Sequence, residues 1–89
     1  MYTVYILKSL RDHRSYVGVT NNFERRFQEH QKGRVHSTKN RKPFTIFLTE
    51  EYDERSEAKR RECWWKSGVG RRELAKRWVQ KYPNSASQF

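Results

Sequence analysis

Three short runs of β-branched and aromatic residues set what this chain can fold into: Tyr2 to Leu7, Ser15 to Thr20, and Phe44 to Tyr52. Each suits a strand, and none is long enough to span a membrane. Between the first two, Arg11-Asp12-His13-Arg14 reads as a polar turn, which predicts a hairpin. The third run places Phe44, Ile46 and Leu48 on one parity and Thr45, Phe47 and Thr49 on the other, the pattern of a largely buried strand. Elsewhere the spacing is helical. Asn21-Asn22 offers a cap, Phe23, Phe27 and His30 recur one turn apart, and Gly33 can stop that helix. Residues 34 to 43 are basic and polar and end at Lys42-Pro43, so they read as a loop. Ser56 can cap a second helix through Ala58, Glu62 and Trp65, stopping near Ser67-Gly68. A short final helix is expected after Gly70, with Leu74, Trp78 and Tyr82 as its buried stripe and Pro83 closing it. The expectation is an α+β domain over residues 1–83, followed by a polar, frayed tail at 84–89.

The core of such a domain must be thin. In 89 residues only 34% are hydrophobic, yet 15% are aromatic, so a few large rings carry most of the burial. Trp64 and Trp65 are adjacent and diverge by about 100° on a helix, so they cannot be equally buried. An exposed one could stack on an unpaired base. The lone Cys63 cannot form an intramolecular disulfide and reads as a small buried side chain. With no signal-like segment at its start, the chain is expected to be cytoplasmic, with no membrane partner and a monomer as the default.

Charge points to a partner. The formal net charge is +10, which suits a polyanion such as nucleic acid. It is unevenly spread: residues 1–21 carry +2, 22–48 carry +5, 49–58 carry −4 and 59–81 carry +7. If the basic segments meet, they form one cationic face with the acidic stretch off it. No helix-turn-helix pattern or zinc-finger spacing is present, so backbone contacts should dominate and sequence specificity should be low.

Within this frame, phenols, a fixed cation, an imidazole and a carboxylate stand at spaced positions: Tyr5, Tyr16, Arg26, His30 and Glu62. Arg26 and His30 are four apart, so they project from one helix face, close enough to address one phosphate. Each residue also has an ordinary structural reading. Tyrosines in strands are usually core, Arg26 beside Arg25 can be solvated surface, and Glu62 among Arg60, Arg61 and Lys66 can be a salt-bridge partner. His13 reads as a turn residue.

Taken jointly, Thr3-Val4-Tyr5, Tyr16-Val17-Gly18, Asn22-Phe23-Glu24-Arg25-Arg26-Phe27 with His30, and Arg61-Glu62 resemble the GIY-YIG nuclease superfamily over nearly the whole chain. The stretches Ser37 to Phe44 and Lys66 to Arg71 are similar to its small stand-alone bacterial members, themselves similar to the nuclease domain of the excision-repair C subunit. The resemblance implies a three-stranded antiparallel sheet flanked by about three helices. It also implies a divalent-metal-dependent endonuclease acting on DNA, in a DNA-repair context, leaving a 5′ phosphate and a 3′ hydroxyl. Tyr5, Tyr16, Arg26, His30 and Glu62 match the family's catalytic positions, and Glu62 the glutamate that holds one Mg²⁺ or Mn²⁺. His36, Lys39, Arg41 and Lys66 are the expected substrate-binding residues. Thr3 and Val4 depart from the first triplet but suit a strand.

Family proposals make the first-triplet tyrosine, here Tyr5, the group that activates water, with Tyr16 positioning it. A free phenol is about one part in a thousand ionised at neutral pH, a deficit of roughly 4 kcal/mol. Nearby positive charge is expected to lower the pKa of such a tyrosine. Single-stranded and branched DNA are the expected substrate forms. A nucleic-acid-binding module of the same fold without significant turnover is the alternative, and the basic patches fit both.

Overall fold

A computed structural model describes residues 1–83. The expected tail at 84–89 lies outside the described residues. Three strands, β1 (Tyr2–Ser9), β2 (Ser15–Thr20) and β3 (Phe44–Tyr52), alternate with helices α1 (Phe23–Gln31), α2 (Arg55–Lys66) and α3 (Gly68–Lys81) in the order β1-β2-α1-β3-α2-α3. The strands form one antiparallel sheet in the order β2-β1-β3. Central β1 is the most apolar strand, and Val4 to Leu7 are at most 1% exposed.

Alternation along β1 divides the core into two layers. Val4 and Ile6 pack with Val17, Phe47, Ala58, Trp65, Leu74 and Trp78, joining the sheet to α2 and α3. Tyr5 and Leu7 pack with Phe44, and Tyr16, Phe23 and Phe27 close that layer under α1. Asn22 caps α1 by accepting from the Arg25 amide at 3.1 Å. Gly33, at φ +72°, turns the chain after α1. The Gln31 side-chain amide then grips the Phe44 backbone, donating to its carbonyl at 2.9 Å and accepting from its amide at 2.6 Å. The end of α1 is thereby tied to the start of β3.

Several local expectations are corrected. β3 is not largely buried: it is an edge strand whose only buried side chains are Phe44 and Phe47. Its register shifts opposite Ile6 and Leu7, leaving Phe47 as an extra residue between Ile46 and Leu48. Apolar residues of both parities therefore record a bulge rather than two covered faces. α2 begins at Arg55, with Glu54 as N-cap and no side-chain cap bond, so Ser56 lies inside the helix. The final helix is longer than expected and starts before Gly70, because the Ser67 side chain accepts from the Gly70 amide at 3.3 Å. Cys63 is exposed, since Ala58, Glu62 and Trp65 define the inner face of α2. Trp65 is 0% exposed while Trp64 is half-buried, as their divergence requires. The Trp64 ring has the Arg61 guanidinium 4.2 Å from its centre, a stacked cation that competes with the base-stacking role considered for an exposed tryptophan.

Candidate active site at the outer edge of strand β2

Strand pairing assembles the tyrosines. Tyr5 lies opposite Gly18 and Leu7 opposite Tyr16, so both phenols rise from the α1 face of the sheet, 6.2 Å apart between ring centres. Gly18 is required by this packing: a Cβ there would meet Tyr5 Cζ and its hydroxyl oxygen at 2.5 Å. The Tyr5 ring leans into space that only glycine leaves open.

Behind Tyr5 lies a buried polar chain. Its hydroxyl is 2.9 Å from His30 Nε2, and His30 Nδ1 is 2.8 Å from Thr38 Oγ1. His30 and Thr38 are 0% exposed and Tyr5 1%. Burial, and then the charge of Arg26, lower the His30 pKa to about 4, so the imidazole is neutral at physiological pH. A neutral ring donates from one nitrogen and accepts at the other. The Thr38 hydroxyl donates to the Val35 carbonyl at 3.5 Å and is left to accept from Nδ1–H. Nε2 then accepts the Tyr5 proton. Arg26 completes the set by hydrogen bonding to the Tyr5 phenol. On this assignment of the ring proton, the chain runs from Tyr5 to His30 to Thr38.

Two expectations change here. His30 shares a helix face with Arg26, but it is enclosed by Tyr5, Thr38 and neighbouring rings and addresses the phenol rather than a phosphate. Positive charge also fails to lower the Tyr5 pKa. Burial dominates, the Arg26 bond pulls down, the neighbouring Tyr16 and Glu62 push up, and the result is about 12. Tyr5 is a phenol that keeps its proton at neutral pH, with its oxygen 2.9 Å from His30 Nε2.

The remaining residues line two grooves beside β2, the larger among the hairpin turn, the 34–43 loop, the end of α2 and α3, the smaller between α1 and the start of α2. The larger, about 770 Å³, is bordered by Tyr16 and by Arg14, Arg41, Lys66 and Arg71, with Asp12 its only acid. The smaller, about 470 Å³, is bordered by Arg25, Arg26, Arg55 and Lys59, with Glu29 its only acid. Both grooves are thus strongly cationic. Glu51, Asp53, Glu54 and Glu57 border neither, in keeping with an acidic stretch set off the basic face. Arg26 is partly exposed, pairs with Glu29 at 3.1 Å and stays charged: burial opposes this, and bonds to Glu29 and Tyr5 outweigh it.

Of the expected substrate-binding residues, Lys66 and Arg41 border the larger groove, while His36 and Lys39 are exposed and border neither. Arg41 is already engaged, donating to Asp12 at 2.7 Å and to the Ser15 carbonyl at 3.2 Å. Burial acts against ionisation of Asp12, but the Arg41 bond and the Arg14 amide hold its pKa at about 2. Arg41 pins the 34–43 loop to the hairpin turn. Sequence reasoning missed Thr38, although it stands in the Ser37 to Phe44 stretch; a hydroxyl eight residues after His30 was the available signal. It also missed Arg14, Arg25, Arg55, Lys59 and Arg71, whose separation along the chain hides their convergence.

Glu62 itself borders neither groove; it lies on α2 between Lys59, which borders the smaller, and Lys66, which borders the larger. Its side chain is 10% exposed; Oε1 lies 3.2 Å from Lys59 Nζ and Oε2 3.3 Å from Lys66 Nζ. Among the described residues no group of three His, Cys, Asp or Glu could hold a metal. A single carboxylate still fits Mg²⁺ or Mn²⁺, because such ions keep several waters and are commonly completed by substrate phosphates. Glu62 is the residue that would hold such an ion.

Comparison with known proteins identifies the family and the fold. Residues 1–76 match the model of the GIY-YIG catalytic domain. The chain is 35% identical over 74 residues to the UPF0213 protein XAC3202 of Xanthomonas axonopodis pv. citri (strain 306), covering 82% of this chain and 71% of that protein. It also matches the solution NMR structure of the UPF0213 protein BH0048 from Bacillus halodurans, with 28% identity and a TM-score of 0.54 over 98% of this chain and 94% of that one. With the three-stranded antiparallel sheet and three helices found here, these matches establish that the chain belongs to the GIY-YIG family, a nuclease superfamily.

Proposed function

We propose that this protein is a divalent-metal-dependent endonuclease that hydrolyses phosphodiester bonds of DNA with little sequence preference. The observation that carries the reading is the buried Tyr5–His30 pair, within electrostatic reach of Arg26 and Glu62, with Tyr16 bordering one cationic groove and Arg26 the other. Arg26 would hold the scissile phosphate, since its planar fork matches phosphate oxygens and its charge is permanent. Tyr5 acts as a conduit rather than a phenolate. As the attacking water gives a proton to the Tyr5 oxygen, the Tyr5 proton passes to His30 Nε2. The cost of ionising a phenol held near 12 is thereby exchanged for the smaller one of charging an imidazole held near 4, roughly 4 kcal/mol at pH 7. Tyr16 borders the larger groove with its ring centre 5.0 Å from that of His30, where it can orient the water. A divalent ion held by Glu62 would stabilise charge on the leaving 3′ oxygen.

The deciding experiment is cleavage of end-labelled single-stranded and duplex DNA with Mg²⁺, Mn²⁺ or EDTA, comparing the native chain with Glu62→Ala and Arg26→Ala. Metal-dependent cutting that leaves a 5′ phosphate and is lost in both variants is the expected result. Binding without cutting, unchanged by either substitution, would leave a nucleic-acid-binding module of the same fold.

A further inference from the structure

We infer that a nucleic-acid strand and the divalent ion bind as a linked pair, with Lys59 and Lys66 forming a displaceable double cap on Glu62. This rests on reading the β2 edge as the nucleic-acid site. Each carboxylate oxygen is held by a different ammonium group, one from the preceding turn of α2 and one from the following turn. The caps belong to different grooves: Lys59 borders the smaller and Lys66 the larger. Seven residues of helix separate them, about 10 Å. A strand that runs along β2 through both grooves therefore meets both lysines, while Glu62 lies between them.

The energetics favour an exchange. The lysine side chains are 50% and 56% exposed, and ion pairs of that exposure contribute little and are readily broken. Phosphate oxygens offer each ammonium a charge-assisted bond in return. Once both lysines turn outward, the nearly buried carboxylate has lost its compensating charge, an unfavourable state. One divalent cation replaces two monovalent ones with the local charge unchanged, and the phosphates supply the oxygen ligands that the protein lacks. Without a strand, the ion must displace both lysines with nothing to receive them. Linkage requires the converse as well: the ion tightens strand binding by the same factor.

The test uses ¹⁵N-labelled protein and Mn²⁺, whose paramagnetism broadens nearby amide signals, with a short phosphorothioate thymidine strand that resists hydrolysis. Broadening of the Arg61 and Cys63 amides is expected at about 10- to 100-fold lower free Mn²⁺ when the strand is present. Lys59→Met combined with Lys66→Met should broaden without the strand at nearly that lower concentration, and Glu62→Gln should abolish the local effect. Strand affinity, followed by fluorescence anisotropy, should rise with Mn²⁺ in the native protein but not in Glu62→Gln. Equal broadening with and without strand, no broadening at these amides in any sample, or a lysine variant that behaves as the native protein would overturn the inference. Cleavage without linkage would sink only this inference. Linkage without cleavage would sink only the nuclease.

Discussion

Replacing Thr38 by valine keeps the volume and removes one oxygen from the buried chain behind Tyr5. The lost bond is 2.8 Å long and joins two side chains that are 0% exposed, so water cannot take the hydroxyl's place. Leaving His30 Nδ1–H without an acceptor costs about 1–3 kcal/mol. In a domain of this size each kcal/mol lowers Tm by about 4–8 °C, so a fall of roughly 10 °C is expected. The imidazole can recover part of that cost by moving its proton to Nε2, where it would donate to the Tyr5 oxygen. That tautomer no longer accepts the phenol's proton. Cleavage should therefore fall by about a hundredfold, the lower end of what a positioned acid–base group contributes. Thr38→Ser, which keeps the hydroxyl, should restore most of the rate. Thermal unfolding, ¹⁵N shifts of the His30 ring and initial cleavage rates of the two variants make the comparison. A valine variant with native Tm, native tautomer and native rate would refute both the proton assignment and the role given to His30.

Two further outcomes follow from the same geometry. His30 in the unfolded chain takes up a proton near pH 6.5, whereas the folded protein holds it neutral down to about 4. The unfolded state thus binds more protons across that interval, and His30's contribution to stability is complete above 6.5 and declines as pH falls to 4, by an amount on the order of 3 kcal/mol. Urea midpoints measured from pH 7 to 4 should show this slope and should lose it in His30→Gln. Gly18→Ala should cut activity more than it cuts stability, because the new methyl meets the Tyr5 hydroxyl and ring tip and must turn the phenol off His30; cleavage rates set beside Tm values test this.

The sequence made the parts of the fold legible where a local signal and a burial pattern agreed. Asn22 caps α1, Gly33 turns the chain after it, and the Arg11 to Arg14 turn joins the hairpin, each by chemistry contained in a few adjacent residues. Expectations failed where the outcome depended on distant partners. Phe47 is an inserted residue in an edge strand, which its own neighbours do not reveal. Cys63 faces outward because Trp65 and Ala58 set the rotation of α2. At the site, the resemblance singled out residues that do come together around Tyr5, but not their protonation. Nothing in the spacing of Tyr5, His30 and Thr38 shows that burial outweighs the Arg26 charge or that Thr38 fixes the tautomer.

Ser67 closes α2 and opens α3 with no intervening residue, and the ring of Trp65 just before it and that of Trp78 on α3 are both 0% exposed. The helix carrying Glu62 therefore has no hinge. Access to its carboxylate is controlled by side-chain rotation, which at exposed lysines takes picoseconds to nanoseconds rather than the microseconds to milliseconds of a closing domain. On the proposed nuclease reading, turnover would not wait on movement of this helix.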